Sequence, residues 1–434
     1  MRSFYTLTAA AILLSSPASA ALNRAEQAMV TTIDAEQQRT TGLLQRWVNQ
    51  NSGTMSRIGV EAMRDMVEPE FRDLGFKTEW IDMSAAGRAG HLVARHQGNP
   101  SGKRLLLIAH LDTVFEPDSP FQRWTPEGTW AHGPGSGDDK GGIAVIVAAL
   151  RAMKVAGTLR NSNITIFLTG DEEDAGSPLS VSRRDLVVEG KKADVALDFE
   201  DLSVEDGKDM GSIARRSAGS WTLTVTGKSA HSAGWGGPSV GYGAIYELAR
   251  IIDQFRTQLA EDKLTYNVGI AAGGQTAALD VGRIRVEATG KTNIVAPLAV
   301  ARGDLRAISQ EQIDRTEAKM RSIVAQSLPG TKAEISFDAD AYPPMPPSEA
   351  NRALLRQLNG VNRDMGLPEM GELDPSKRGA GDISFVAADV DGLVGLGPSS
   401  SGSHTAAEAV DVPSIFKQAK RAAILMSRLA AERR

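Results

Sequence analysis

Five short stretches of this chain carry residues that can do chemistry, and each follows or opens a recognisable element. His110-Leu111-Asp112 comes directly after the apolar run Leu105–Ala109. A histidine at the end of a buried strand sits where α/β sheets place their sites. An aspartate two residues on can accept a bond from its ring and fix the tautomer. Gly135-Ser136-Gly137-Asp138-Asp139-Lys140-Gly141-Gly142 sets adjacent acids among glycines. Two such acids are costly unless a cation neutralises them, and the glycines let the backbone approach a neighbour closely. Asp171-Glu172-Glu173-Asp174 crowds acids at the mouth of the strand Ile164–Leu168. Glu200 follows Val195–Leu197, and His404 lies in Gly402-Ser403-His404-Thr405-Ala406-Ala407-Glu408. Singly, these read as solvated acidic turns, a helix start or structural histidines.

Together they change the reading. Three carboxylates and two histidines stand after successive strands of one sheet, an inventory that serves two zinc ions sharing one carboxylate. The chain has no cysteine, so any metal site uses His and carboxylates. Two ions held ~3.5–4 Å apart polarise a carbonyl and activate a bridging water. A spare glutamate then takes the water's proton. Cobalt or manganese can occupy the same donors.

The elements that must hold these residues have two textures. Leu105–Ala109, Ile164–Leu168 and Val195–Leu197 are apolar runs that suit strands buried on both faces of a mostly parallel sheet. Ile143 to Met153 has helical character after the Gly141-Gly142 pair. The pattern changes near residue 212. Trp221, Leu223 and Val225 alternate with threonines; Ile245, Leu248, Ile252 and Phe255 recur at helical spacing; Ile284 and Val286 alternate again. Ser309 with Gln312 predicts a capped helix through about Gln326, and Ile335 with Phe337 another strand. Strand, helix, strands, helix, strand is a ferredoxin-like α+β order. Tyr342-Pro343-Pro344 and Pro346-Pro347 form the return linker. The expected fold is α/β: a catalytic domain made of residues 21–211 and 341–434, with an inserted α+β domain over 212–340.

Composition narrows the class. The chain has 434 residues, 41% apolar and 23% charged, with a net charge of -5. That suits a soluble two-domain protein without the clustered basic face that nucleic acid needs. Arg2, the apolar stretch Leu7–Leu14 and Ala18-Ser19-Ala20 read as a signal peptide over residues 1–20, cleaved near Ala20/Ala21. The mature protein is expected in a periplasm or outside the cell. No later stretch reaches 18 uninterrupted apolar residues, so no membrane span is expected after cleavage.

His110-Leu111-Asp112, Gly137-Asp138-Asp139-Lys140-Gly141-Gly142, Asp171-Glu172-Glu173, Glu200 and His404-Thr405-x-x-Glu408 resemble, in order, the co-catalytic zinc metallopeptidases. That family includes glutamate carboxypeptidase, succinyl-diaminopimelate desuccinylase, aminoacylase and several di- and tripeptidases. The resemblance implies that Asp138 bridges two metals, that His110 and Glu200 complete one site, and that Glu173 and His404 complete the other. It makes Glu172 the general base and acid, has Asp112 orient His110, and implies a cis bond between Asp138 and Asp139. Gly227-Lys228-Ser229-Ala230-His231-Ser232-Ala233 is similar to the family's lid motif, whose histidine reaches the partner subunit's site and stabilises the oxyanion. Asn293 and Arg306 match lid positions that contact substrate carboxylate or carbonyl groups, and Gly402 joins them as a substrate-binding residue. The implied assembly is a homodimer joined through the lid. The implied substrate is a peptide or N-acyl amino acid cut beside a free C-terminal carboxylate, often of an acidic residue. Arg215, Arg216 and Arg283 add positive charge that would draw acidic chains. An aminoacylase or desuccinylase, or an aminopeptidase or dipeptidase, would use the same metals.

Overall fold

The computed structural model describes residues 22–434, and the signal peptide expected at residues 1–20 lies outside them. Helices α1 (Arg24–Ala35), α2 (Gln37–Val48) and α3 (Arg57–Asp73) open the described chain. Strands β1 (Lys77–Asp82), β2 (Gly90–His96) and β3 (Arg104–His110) follow, then helix α4 (Lys140–Val155) and strands β4 (Asn163–Thr169) and β5 (Val195–Asp198). The α4 helix begins at Lys140 and takes in both glycines, and every residue from Lys140 to Leu150 is buried.

The chain then leaves the first sheet and builds a second core. Strand β6 (Gly219–Gly227), helix α5 (Ala244–Gln258), strands β7 (Val268–Gly274) and β8 (Leu298–Leu305), helix α6 (Gln310–Val324) and strand β9 (Thr331–Phe337) make an antiparallel sheet of order β7-β8-β6-β9. Trp221, Leu223 and Val225 on β6 bury against Leu248, Ile251 and Phe255 of α5 and Met320 and Ile323 of α6. The threonines between them stay off that core, as a strand with one covered face requires. Ser309 caps α6 by accepting the Gln312 N–H at 3.2 Å, while Gln312 Oε1 accepts from Ile308 N rather than from Ser309. The strand read at Ile284 and Val286 is displaced. Val286–Thr289 pairs with Thr276–Leu279 in a side hairpin and Ile284 is exposed, while the central position belongs to β8.

The chain returns through α7 (Glu349–Asp364), β10 (Gly392–Leu393) and α8 (Val412–Ala431). The first sheet has the order β1-β2-β4-β3-β5-β10. Its β4, β3, β5 and β10 strands run parallel, but β1 pairs antiparallel with β2, and β2 with β4. The sheet is therefore mixed: three of its five pairings are parallel, and the two antiparallel ones are both made by β2. The short connection from β1 to β2 leaves no room for a crossover, so those strands can only meet head to tail. Both faces are covered. Leu105, Leu107, Ile166 and Leu197 pack with α4 and α8 on one side, and Leu106, Ile108, Phe167 and Ala196 with Leu186, Ile383 and Val386 on the other. Two buried faces explain why these strands read as unbroken apolar runs. Among the described residues, no helix is long and apolar enough to cross a membrane.

Candidate metal centre

Because β4, β3 and β5 lie side by side and parallel, their C-terminal ends open on one edge. His110 is the last residue of β3, Asp171–Glu173 follow β4, and Glu200 follows β5. Asp138 arrives just before α4, and the Asp138–Asp139 peptide is cis. The glycines do what their setting suggested, with protein as the close neighbour. A Cβ on Gly142 would stand 2.1 Å from the Phe199 carbonyl oxygen, and one on Gly137 would stand 2.3 Å from Ser400 Cβ. The α4 start is thus pressed onto the end of β5, and the loop before His404 onto the Asp138 turn.

One aspartate touches both histidines. Asp138 Oδ1 is 3.0 Å from His110 Nε2, and Asp138 Oδ2 is 3.3 Å from His404 Nε2. Glu173 Oε2 lies 3.0 Å from the same His404 nitrogen. Ligand atoms of His110, Asp138 and Glu173 all fall within 4.8 Å of one another. Asp112, wholly buried, accepts from Thr54 Oγ1 at 2.7 Å and from the Glu172 and Glu173 N–H groups at 3.0 and 3.2 Å. Its Oδ1 is 3.4 Å from His110 Nδ1, but its own carbonyl oxygen is nearer at 3.1 Å. Asp112 therefore holds the glutamate backbone as well as the histidine, a role its position two residues after His110 did not announce. Glu200 lines the same cavity as Asp138 and His404 but has different partners. Its carboxylate pairs with Arg215 at 2.7 Å and Arg378 at 3.2 Å.

Charge is concentrated here. Asp138 and then Glu173 push the His404 pKa up to about 11. The His110 pKa also stands well above its ordinary value, since Asp112 and Asp138 outweigh the burial that opposes it. Burial, reinforced by Glu200, lifts Glu172 well above the usual glutamate range. For Glu200 itself, the two guanidiniums overcome burial and keep its carboxyl below that range. Among the described residues, both carboxylate oxygens of the buried Asp139 lack a hydrogen-bond partner. Several close acids, an orphaned carboxylate and nitrogen and oxygen donors alone make a setting that suits divalent cations.

Two cavities meet at this edge. One, of about 440 Å³, is lined by Glu172, Glu173, His404, Arg306, Asp340 and Tyr342. The other, of about 260 Å³, is lined by Asp138, Glu172, Glu200, Arg215, Arg378 and His404. Glu172 and His404 face both. A larger hollow of about 860 Å³ between Trp124, Trp130 and Phe416 shares no residue with them.

The structure thus gathers His110, Asp112, Asp138, Glu172, Glu173, Glu200, His404 and Arg306. His231 and Asn293 line neither cavity. They sit together on the inserted unit, where Ala230–His231 pairs with Ile294–Val295 and Ser232 N donates to the Asn293 carbonyl. Gly402 has φ +70° and its carbonyl accepts from Thr405, so it shapes the His404 loop and lines neither cavity. The basic residues read as surface charge are engaged inside the chain. Arg215 is buried on Glu200, Arg283 pairs with Asp338 at 2.8 Å, and Arg216 donates to Thr265 at 2.7 Å. Groups without an assigned role also bear on the centre. Glu408, its pKa pushed up to about 8 by burial and then by Asp138, accepts the Gly137 and Asp138 N–H groups at 3.2 and 3.3 Å. Its place in the His404-Thr405-x-x-Glu408 motif was its only signal. Arg378 and Tyr342 carried none.

Comparison with known proteins agrees with this geometry. Residues 106–428 match Peptidase family M20/M25/M40. The chain is 28% identical over 409 residues to carboxypeptidase G2 of Pseudomonas sp. (strain RS-16), covering 91% of this chain and 90% of that protein. It is 23% identical over 365 residues to succinyl-diaminopimelate desuccinylase of Dechloromonas aromatica (strain RCB), covering 81% and 89%. The fold matches the crystal structure of aminopeptidase PepT from Bacillus cereus ATCC 10987 with a TM-score of 0.70 at 18% identity, over 91% of this chain and 99% of that one. With a carboxylate-histidine centre at the ends of its parallel strands, this chain belongs to the peptidase family M20/M25/M40 and is a metallopeptidase-type amide hydrolase.

Proposed function

We propose that this protein is an exported two-zinc exopeptidase of carboxypeptidase type, cutting the amide bond beside a free C-terminal carboxylate, often that of an acidic residue. The observation that supports this best is Arg306, which lines the same 440 Å³ cavity as Glu172, Glu173 and His404. A guanidinium fork matches a carboxylate bidentately and fixes the chain end in register. In this reading Asp138 would serve both ions, His110 and Glu200 would complete one site, and Glu173 and His404 the other. When bound, the pair supplies a polarised carbonyl and an acidified water. Glu172 accepts the water's proton and passes it to the departing amine. Asp112 keeps His110 and the Glu172–Glu173 backbone in place. Zinc is the expected metal, with cobalt or manganese as substitutes. With Arg215, Arg216 and Arg283 engaged internally, preference for acidic chains rests on Arg306, whose Nε holds Asp304 at 3.1 Å and whose Nη pair would form the fork.

The inserted unit, residues 212–340, is in this reading a ferredoxin-like lid and dimerisation domain. His231 is exposed and lines neither cavity of its own chain, which suits a role at a second subunit's centre. Trp235, Ile245 and Tyr246 expose apolar surface on the same unit, as a homodimer contact would. The signal-like residues 1–20 support a periplasmic or secreted protein.

The deciding assay compares one peptide with a free C-terminus against its C-terminal amide, using zinc-loaded protein. Equal cleavage of the last residue from both rejects the carboxylate anchor. A second reading has its own observation, because Asp340 and Asp174 line the same cavity and could hold a substrate ammonium. Cleavage that requires a free amino terminus would make the enzyme an aminopeptidase or dipeptidase. Preference for N-acyl amino acids would make it an aminoacylase or desuccinylase.

A further inference from the structure

The inserted unit joins the first sheet through two short segments that pair with each other. Arg215 and Met345 exchange main-chain hydrogen bonds of 2.9 Å, and Ala218 and Tyr342 exchange bonds of 3.1 and 2.9 Å. Each segment also sends one side chain into the centre. Arg215 places Nη1 2.7 Å from Glu200 Oε2 and 3.4 Å from Asp198 Oδ2, while Nε and Nη2 donate to the Gly379 and Ala380 carbonyls at 2.8 and 2.6 Å. Tyr342 Oη donates to the Glu172 carbonyl oxygen at 3.1 Å.

The tyrosine hydroxyl has little freedom. Arg183 Nη2 donates into it at 3.2 Å, and Arg183 is itself fixed by Asp171 at 2.6 Å and Asp382 at 2.7 Å. A guanidinium only donates, so the single hydroxyl proton is left for the Glu172 carbonyl. The ring packs edge-on against Phe385, 4.7 Å between centroids. Arg183 is buried, so a displaced Tyr342 would leave part of a buried cation unpartnered.

We propose that Arg215 and Tyr342 are positioning residues through which this two-stranded junction sets the places of Glu200 and Glu172, so that the seating of the inserted unit and the alignment of the centre are one coordinate. The inference rests on the two-metal amide hydrolase reading above. The junction already has four main-chain hydrogen bonds of its own. Holding the two units together does not need the side-chain contacts. Placing a carboxylate to a fraction of an ångström does.

The test uses the full-length, zinc-loaded protein with Y342F and R215K. Removing only the hydroxyl should lower kcat about five- to tenfold, the size of one net hydrogen bond, with KM within about twofold. Zinc content by elemental analysis should stay that of the parent, and the melting temperature should fall by only the few degrees that one lost hydrogen bond to buried Arg183 costs. R215K keeps the charge but cannot bridge Glu200 and two carbonyls at once, and it should lower kcat at least as much. Should R215K fail to fold, Y342F decides alone. Parental kcat in Y342F overturns the proposal, as does a loss that tracks lost zinc or partial unfolding at the assay temperature. A parent protein inactive on every amide substrate overturns the functional reading and this proposal together. An active parent with an unaffected Y342F overturns the positioning role only.

Discussion

The strand-end edge and the tip of the inserted unit are built on opposite plans. At the edge each group is held by others: Asp112 accepts three bonds, Asp138 touches two histidines, and Glu200 lies between two guanidiniums. At the tip, and among the described residues, His231 is exposed and its ring accepts only the Ala233 N–H, while Asn293 bears no side-chain hydrogen bond. A region that satisfies its own polar groups can work within one chain. A region that leaves them open leaves them to water and, in the reading proposed above, to a second subunit.

Metal removal probes the edge most severely. A strong chelator should abolish hydrolysis, zinc should restore it, and elemental analysis should find two ions per chain. One tightly held ion with full activity would break the two-metal half of the contrast. Glu172→Ala comes next, with turnover down ~10²–10⁴-fold and metal content nearly unchanged. Near-normal turnover would remove Glu172 from its role. Arg306 stands between the two regions, and Arg306→Ala should cost about tenfold or more in kcat/KM on free-acid substrates while sparing their C-terminal amides.

The tip is tested by mixing. His231→Ala and Glu172→Ala should each be nearly inactive alone. If His231 serves the partner's centre, exchanging subunits between them should restore about a quarter of parental activity, since half the dimers carry one complete site. No recovery, or an active monomer by light scattering, would place His231 outside catalysis. The smallest effect should come from Asp338, held by Arg302 at 2.5 Å and Arg283 at 2.8 Å on the half-buried flank of the inserted unit. Those arginines outweigh its burial and keep the Asp338 carboxyl below its ordinary range. Its contribution is therefore present above the usual aspartate pKa and lost as the pH falls through the lowered value. Asp338→Asn should cost roughly 0.5–1 kcal/mol in thermal unfolding at neutral pH and leave kcat alone. Lost activity in that variant would show that the flank is not independent of the centre.

The motifs and the strands that carry them were legible because both obey local rules. Apolar runs end where the chemistry begins, and α4 starts where the Asp138 turn stops. What local rules do not encode was missed. The β2 strand, buried on both faces, reads the same whether it runs parallel or antiparallel. The Val268–Gly274 strand is rich in glycine and alanine and shows no alternation. Arg215 read as surface charge because a buried arginine is rare without partners, and its partners come from distant stretches of chain. Tyr342 read as linker punctuation, since the prolines after it dominate the local signal.

The burial of α4 gives the centre two walls of different kinetics. Asp138 is two residues before a helix whose opening turns are wholly buried, so amides there should trade hydrogen for deuterium only when the whole domain opens. His404 instead sits at φ +65° in a largely exposed loop. Its Thr405 and Glu408 amides are held by single turn bonds of 3.0 Å, so they should exchange faster than those of α4. One side of the centre keeps time with global unfolding and the other with loop motion.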